Sequence, residues 1–483
     1  MNTFEPGPTT PVPTPAPTPT PTPTKAPAQD IDDALYEKRQ KIYPREVHGI
    51  FATARVAAAT VLLGIFYLLP WVQWDGRQAV LFDLPARKFY LFGLTLWPQD
   101  FLYLTFLLML AAYSLFFFTA LAGRLWCGYA CPQTVWTESF LWIERLIEGT
   151  RQQQIKLDES KMSLRKFRLK ATKHSIWIVF SLFTGFMFVS YFTPTRELAV
   201  SLTRLDLGPW EWFWLLFYGF ATYGNAGFMR EQVCKYMCPY ARFQSAMFDK
   251  DTLIISYDEK RGEPRGSRRS NVDPRAQGLG DCINCTMCVQ VCPTGIDIRK
   301  GLQYECIGCS ACIDVCNDVM DKMKYPRGLI RYTTQHELDG GKTHVLRPRI
   351  VVYGVILVLL CGLFGWRLSQ RLPIGLDVLH DRNQLYREAA GKIENVYLLK
   401  VMNKDDRMHR YALSVSGIDE LEVAGENPPI EAAGGAIVNY PIAVRAEEDD
   451  LPGRSTPVRF TLTAVDDPNL TVTAEAKFLG PLP

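Results

Sequence analysis

Five apolar runs without a charged residue constrain the fold of this 483-residue chain most strongly. Each run approaches the ~20 residues that cross ~30 Å of hydrocarbon as a helix. A bilayer leaves the backbone no water to bond, so such runs must be helical. Five of them are too many for the core of a soluble protein, and the sequence therefore predicts a five-span helical membrane protein. The runs are Val56–Trp74, Phe101–Gly123, Ser175–Thr195, Trp212–Met229 and Ile350–Trp366.

The distribution of lysine and arginine predicts which way the chain crosses the membrane. The segment 151–173 holds eight basic and two acidic residues, whereas the loops 75–100 and 194–211 hold three and two basic residues. Cytoplasmic loops are enriched in Lys and Arg. We therefore expect the N-terminus and the segment 230–349 to be cytoplasmic. Everything after Arg367 would then lie on the far side of the membrane, which is the periplasm if the chain lies in a bacterial inner membrane.

Eight of the 13 cysteines lie in two consecutive repeats. The first, from Cys282 to Pro293, reads C-x2-C-x2-C-x3-C-P, and the second, from Cys306 to Cys316, differs only by Asn317 in place of proline. This spacing is typical of bacterial ferredoxins with two [4Fe–4S] clusters, in which the fourth cysteine of each repeat binds the other cluster. Zinc sites lack the x3-C-P ending, and a cytoplasmic location disfavours disulfides. The predicted ligands are Cys282, Cys285, Cys288 and Cys316 for cluster one, and Cys306, Cys309, Cys312 and Cys292 for cluster two.

A second cysteine pattern, C-x-Y-x-C-P, follows the second and the fourth apolar runs. It occurs at Cys127–Pro132 and again at Cys234–Pro239. The duplication predicts an internal repeat whose pseudo-two-fold packing brings both motifs to the cytoplasmic membrane face. Two thiolates four residues apart on a helix can clamp a soft ion such as Cu(I).

A different local structure is also compatible with these motifs, because the prolines disfavour a helix that continues through Cys131 and Cys238. Each proline can instead begin the next helix, and a helix N-terminus is expected to lower the pKa of a cysteine there. A third interpretation is that the cysteines are only small packing residues.

The last hundred residues differ from the rest in showing apolar residues at every second position. They contain no cysteine and no catalytic constellation. Short strands separated by turn residues predict an immunoglobulin-like sandwich. Its expected role is binding or docking, or merely stabilisation. The alternating stretches are Tyr397–Met402, Tyr411–Val415, Ile437–Val444 and Val458–Thr463.

These features together predict a membrane α-helical fold with an inserted α+β ferredoxin domain and a C-terminal all-β sandwich. A net charge of +3 with 21 % charged residues gives no basic surplus for nucleic acid. The predicted parts are a disordered, Pro/Thr-rich tail with its cytoplasmic lead-in (1–46), a four-helix membrane domain with both C-x-Y-x-C-P motifs (47–247), a cytoplasmic ferredoxin domain (248–346), a fifth transmembrane helix (347–370) and a periplasmic immunoglobulin-like domain (371–483).

From residue 42 onward, the chain resembles the FixG/RdxA/CcoG family of membrane ferredoxins, which are cytochrome c oxidase accessory proteins. The order of the membrane motifs, ferredoxin repeat, last span and sandwich is the specific part of the likeness. The Pro/Thr tail lies outside it. Further segments that match the family are Tyr191–Pro194, Cys234–Gln244, Thr252–Asp258 and Arg261–Arg265.

The resemblance implies a cupric reductase that converts Cu(II) to Cu(I) for assembly of a cbb3-type oxidase. It implies that the eight ferredoxin cysteines bind two [4Fe–4S] clusters and that copper is the substrate or a bound ion. The implied partners are membrane lipid, oxidase assembly factors or a copper transporter or chaperone, and a separate electron donor; a homo-oligomer is an open alternative. The residues implied to bind copper and to act in its reduction are Cys127, Cys131, Cys234 and Cys238.

Two other functions fit the same sequence. The twin membrane motifs beside a ferredoxin also resemble the quinol dehydrogenase subunits of periplasmic nitrate reduction, which would make the chain a quinol-linked electron relay. A non-redox scaffold for oxidase assembly is the second alternative, although a scaffold does not need two clusters.

Overall fold

The computed structural model describes residues 41–269, 273–381, 384–389, 391–405 and 407–481. The predicted N-terminal tail lies almost wholly outside these residues. The helices, in chain order, are α1 Ile50–Leu68, α2 Phe101–Ala122, α3 Leu125–Tyr129, α4 Pro132–Glu148, α5 Arg151–Glu159, α6 Leu164–Val189, α7 Thr195–Arg204, α8 Pro209–Thr222, α9 Pro239–Ala246, α10 Glu259–Gly262, α11 Met287–Gln290, α12 Ala311–Met323, α13 Gln335–Leu338 and α14 Pro348–Ser369.

Four helices in the described part of the chain are long and apolar enough to cross a membrane. They are α1 with the turn that follows it, which ends at Trp71, and α2, α6 and α14. Few residues of α1, α2 and α14 are buried inside the protein, as expected for helices that contact lipid. Helix α6 begins at Leu164, before the predicted run, because the basic segment ahead of it is itself helical.

The predicted fourth span is not confirmed. Helix α8 has only 14 residues, and the chain continues from Tyr223 to Met229 as a π-helix. A π-helix is rare and marks a local change of helical packing. Helix α8 nevertheless packs closely along α6. A Cβ added to Gly185 of α6 would lie 2.3 Å from the carbonyl oxygen of Leu215 of α8, so the two backbones are in close contact.

The loop between α1 and α2 is ordered as strands. Strands β3 (Val80–Asp83), β4 (Lys88–Leu91) and β5 (Leu94–Leu96) form an antiparallel sheet, after a two-residue pair β1 (Gln73–Trp74) and β2 (Arg77–Gln78). The sequence indicates only a loop here, because such short strands leave little periodicity to detect.

The ferredoxin segment adopts an α+β fold around its two cysteine repeats. Strands β6 (Ile254–Tyr257) and β7 (Ile330–Thr333) pair antiparallel and bracket the repeats. Helix α11 lies in the first repeat and α12 in the second. A buried apolar cluster that includes Ile255, Met320 and Ile330 packs beside the cysteines.

The C-terminal segment forms two antiparallel sheets whose strands include all four predicted stretches. One sheet has the order β12-β14-β10-β8, with β9 also paired to β10, and the other has the order β13-β11-β15-β16. Tyr397, Phe460 and Phe478 are fully buried between the sheets. The strands are β8 Ile374–His380, β9 Arg387–Ala389, β10 Lys392–Asn403, β11 His409–Ser416, β12 Glu422–Val423, β13 Ile430–Ala432, β14 Ile437–Ala446, β15 Ser455–Ala464 and β16 Thr471–Leu479.

The two ends of α2 contact different parts of the protein. At its beginning, Asp100 pairs with Arg371 at 3.1 Å and with Lys404 of the sandwich at 3.2 Å. At its end, Leu121 accepts a hydrogen bond from Leu253 in the ferredoxin segment, and Arg347, just before α14, donates to Ala120. Helix α2 therefore joins the sandwich to the ferredoxin domain.

Candidate functional site

The structure gathers the four cysteines assigned to cluster one around a single pocket. Arg299 and apolar side chains such as Met320 complete the lining. A pocket lined by four soft sulfur ligands fits an iron–sulfur cluster. The lining cysteines are Cys282, Cys285, Cys288 and Cys316.

The cysteines assigned to cluster two also interact with one another. Burial raises the pKa of Cys306 to about 12 and of Cys309 to about 11, and repulsion from Cys292 adds to both shifts. Burial likewise raises the pKa of Cys312. Without a positive group the thiols would stay protonated, whereas a bound metal group keeps its thiol ligands deprotonated. These buried thiols therefore fit an iron–sulfur cluster, whose iron ions supply the positive charge that keeps the sulfurs deprotonated.

The two C-x-Y-x-C-P motifs end in the same backbone arrangement. In the first, the amide of Cys131 donates to Trp126, and in the second the amide of Cys238 donates to Val233, each to the residue five positions earlier. Both second cysteines then cap a helix whose first residue is proline, α4 after Cys131 and α9 after Cys238. The prediction that the prolines begin new helices is therefore correct. The second motif lies in a π-helix, a feature found often at functional sites.

The structure brings the two motifs together. The thiol of Cys127 donates to Gln244 of α9 at 3.4 Å, and Gln133, just after the first motif, donates to the carbonyl of Arg230 at 3.1 Å. Burial raises the pKa of Cys127 and of Cys234 to about 12, and repulsion among the four thiols contributes to both. We call Cys127, Cys131, Cys234 and Cys238 the four-cysteine site.

Burial changes the pKa of one of these thiols in the direction opposite to the prediction. A helix N-terminus was expected to lower the pKa of Cys131. Its pKa is raised instead, because burial outweighs the hydrogen bonds from the first turn of α4. The expectation is wrong for this residue, since a thiolate loses more from desolvation than it gains from those bonds.

The four sulfurs lie farther apart than around one tetrahedral ion. Metal–sulfur bonds of ~2.3 Å would bring such sulfurs within ~3.8 Å of one another. Within the described residues, no three sulfurs of the four-cysteine site lie within 4.8 Å of each other. As placed in the structure, the four sulfurs therefore do not form a tetrahedral set around one ion.

The cluster-two loop packs directly on the first motif. A Cβ added to Gly128 would lie 2.6 Å from the carbonyl oxygen of Gly308, so only glycine permits this approach. The buried Arg124 donates to Tyr304, to Cys306 at 3.1 Å and to Ala241 of α9. One guanidinium therefore joins the ferredoxin domain to both motifs.

Helix α1 is joined to the same domain by its N-terminus. The amides of Phe51 and Ala52 donate to the carboxylate of Asp314 at 3.3 and 2.7 Å. A carboxylate at this position satisfies free backbone donors and interacts favourably with the helix dipole. Asp314 lies between two cluster cysteines, so the helix cap and the cluster cradle share one segment.

Sequence reasoning did not select Arg124, Gly128, Gln244 or Asp314. Gly128 lies inside a motif and Arg124 three residues before one, so their positions gave a weak signal. Gln244 ends a segment that matches the family, but nothing in the sequence pairs it or Asp314 with a partner, because those partners lie 117 and more than 260 residues away along the chain.

An apolar helix bundle, a cradle for iron–sulfur clusters and a sandwich domain together define a membrane-bound iron–sulfur electron-transfer protein. Family models agree with this class. A 4Fe-4S dicluster domain matches residues 229–335, a 4Fe-4S binding domain matches residues 103–149, and the IG-like fold at the C-terminus of FixG, described as a putative oxidoreductase, matches residues 364–481.

The chain belongs to the FixG/RdxA family. It is 41 % identical to the nitrogen fixation protein FixG of Rhizobium meliloti, with 81 % of this chain and 82 % of that protein covered. It is 40 % identical to protein RdxA of Cereibacter sphaeroides, with 86 % and 89 % covered. A crystal structure of a FixG-related protein from Vibrio parahaemolyticus is 36 % identical and covers 23 % of this chain and 98 % of its own, with a TM-score of 0.21.

Proposed function

We propose that this protein reduces Cu(II) to Cu(I) at the four-cysteine site for assembly of a cbb3-type oxidase. The observation that supports this most is the contact of the cluster-two loop with the first motif, Gly308 against Gly128. When bound, the iron–sulfur clusters would supply single electrons. A copper ion at the four-cysteine site would accept one electron and become Cu(I).

The chemistry of the thiols favours the reduced ion. Soft sulfur ligands select Cu(I) over Cu(II), which raises the driving force for reduction. Because burial holds the pKa of Cys127 and Cys234 near 12, each thiol must release a proton when copper binds. Gln244 accepts from Cys127 and fixes the direction of that thiol.

The proposed topology has five crossings, with the ferredoxin domain cytoplasmic and the sandwich periplasmic in a bacterial inner membrane. Helix α8 and its π-helical continuation together supply the fourth crossing. At the start of α8, Glu211 accepts from Thr193 just beyond α6, and at the far end Arg230 pairs with Glu144 of α4 at 2.7 Å. The proposed partners are membrane lipid, oxidase assembly factors or a copper carrier, and a cytoplasmic electron donor.

The test uses full-length protein, purified anaerobically and reduced with dithionite, from which the excess reductant is removed. Cu(II) is added, and Cu(I) formation is followed together with the visible absorbance of the clusters. We expect one Cu(I) for each electron that the clusters lose. Reduced clusters that do not react with Cu(II) would contradict the proposal.

Two variants locate the reaction. Replacement of all four cysteines of the site by serine is expected to abolish Cu(I) formation, whereas C361S, which alters an exposed cysteine of α14, should leave it unchanged. Equal reduction in the four-serine variant would remove the site from the mechanism.

Iron analysis tests whether an iron–sulfur cluster, and not copper, occupies the four-cysteine site. This test is needed because the family model of a 4Fe-4S binding domain covers residues 103–149, which include Cys127 and Cys131. About eight irons per chain fit two clusters, and about twelve would mean that a third cluster occupies the site.

A further inference from the structure

Two histidines and an aspartate converge beside the start of α14. Within the described residues, one ligand atom from each of Asp251, His336 and His344 lies within 4.8 Å of the others. The Nδ1 atoms of His336 and His344 are 2.8 and 3.6 Å from Oδ1 of Asp251. The side chain of His344 is 67 % exposed and that of Asp251 only 13 %. The group therefore opens to solvent on one side and is fixed on the other.

Backbone contacts hold the three residues in place. The amide of His336 donates to the carbonyl of Lys250 at 3.1 Å, and the amide of His344 donates to Asp251 at 3.0 Å. The hydroxyls of Thr334 and Thr343 are 2.8 Å apart and close the loop between the two histidines. Such outer contacts orient metal ligands and are part of most protein metal sites.

The same segment leads to the four-cysteine site. Thr252 and Leu253, directly after Asp251, donate to Ala120 and Leu121 in the last turn of α2. Beyond that turn, Gln244 donates to Gly123 at 3.3 Å and accepts from Cys127. Both sites thus rest on the same end of α2. Arg347 also reaches this turn, but its charge is balanced by Asp249 at 3.0 Å.

We propose that Asp251, His336 and His344 form an entry site for Cu²⁺. Imidazole and carboxylate ligands suit a divalent transition ion, and Cu²⁺ binds such ligands most tightly of the first-row series. The choice of Cu²⁺ rests on the proposed function. Upon reduction, Cu²⁺ gains the one electron that the bound iron–sulfur group loses, and Cu⁺ then prefers sulfur to imidazole. A nitrogen and oxygen site and a sulfur site at the same end of α2 therefore separate capture from reduction.

The binding test uses full-length protein with oxidised clusters, one equivalent of Cu²⁺ and electron paramagnetic resonance. We expect a Cu²⁺ signal with hyperfine coupling to imidazole nitrogen. The H344A variant alters a mostly exposed side chain and should weaken binding by about 10–100-fold, the usual effect of disturbing a metal site. H336Q/H344Q should abolish the signal, and H48Q, which changes another exposed histidine, should leave it intact. An unchanged signal in H344A and in H336Q/H344Q would overturn the proposal.

A second measurement separates this site from the proposed function. With reduced protein, H344A should raise the Cu²⁺ concentration at half-maximal rate by about tenfold or more, with the same maximal rate. An unchanged concentration dependence would overturn the entry role. If wild-type protein shows the nitrogen-coupled signal but forms no Cu⁺, the cation site stands and copper reduction fails. If Cu⁺ forms without that signal, copper reduction stands and the proposed Cu²⁺ site fails.

Discussion

The two cysteine systems of this protein are built in different ways. The eight ferredoxin cysteines lie within 35 consecutive positions, from Cys282 to Cys316, and α12 and the neighbouring loops fold them into a cradle. The four-cysteine site takes one pair from each half of the membrane domain, and contacts between helices bring the pairs together. The first system depends on local spacing and the second on tertiary packing, so mutations should affect them differently.

The largest effect is expected from a cluster ligand. C288S removes a buried sulfur from the cluster-one cavity, and we expect loss of about half the iron, because a cluster normally needs all four cysteines. Iron analysis and visible absorption measure the loss, with C361S as the control. Retention of full iron would mean that the cradle tolerates three sulfurs and that local spacing matters less than argued above.

Replacement of either cysteine pair of the four-cysteine site should abolish copper reduction to the same extent. If both motifs build one site, C127S/C131S and C234S/C238S should each abolish Cu(I) formation, and combining them should add nothing, since residues that act as a unit are not additive. Stopped-flow reduction of Cu(II) measures the rates. Half of the activity in each double variant would show two separate sites instead of one assembled by packing.

The contact between the two systems can be disturbed without touching a cysteine. G128A places a methyl group 2.6 Å from the Gly308 carbonyl, which forces the cluster-two loop away from the first motif. We expect a fall of about tenfold or more in the rate of copper reduction with iron content unchanged, because small displacements of reacting groups are costly. The control is G64A on α1, where an added Cβ meets nothing within 4 Å. Equal rates in G128A and wild type would show that this contact is not used.

The smallest effect concerns the way the ferredoxin domain holds α1. D314A removes the carboxylate that accepts from Phe51 and Ala52, and loss of such a cap costs about 1 kcal/mol. Thermal unfolding of the cluster-loaded protein should show a modestly lower midpoint. D318A is the comparison, because Asp318 is an exposed partner of Lys322 on the same helix. An equal midpoint in both variants would mean that the cap adds nothing beyond surface charge.

The parts of the structure that could be predicted from the sequence are those that depend on residues close together in the chain. The cysteine spacing and the alternation in strands such as β15 were enough for the ferredoxin cradle and the sandwich. The π-helix after α8 was not predictable, because it arises where Gly227 packs against Trp177 and Phe140. The group at Asp251 and His336 likewise depends on contacts between residues 85 positions apart. Proximity of this kind leaves no periodic signal in the chain.

The cap on α1 also bears on how the protein is made. Ala52 is synthesised 262 residues before its partner Asp314, which at about 5–20 residues per second is a delay on the order of tens of seconds. During that interval the amides at the N-terminus of α1 lack their carboxylate acceptor. The ribosome thus synthesises all the described helices from α2 to α11 before α1 acquires this anchor.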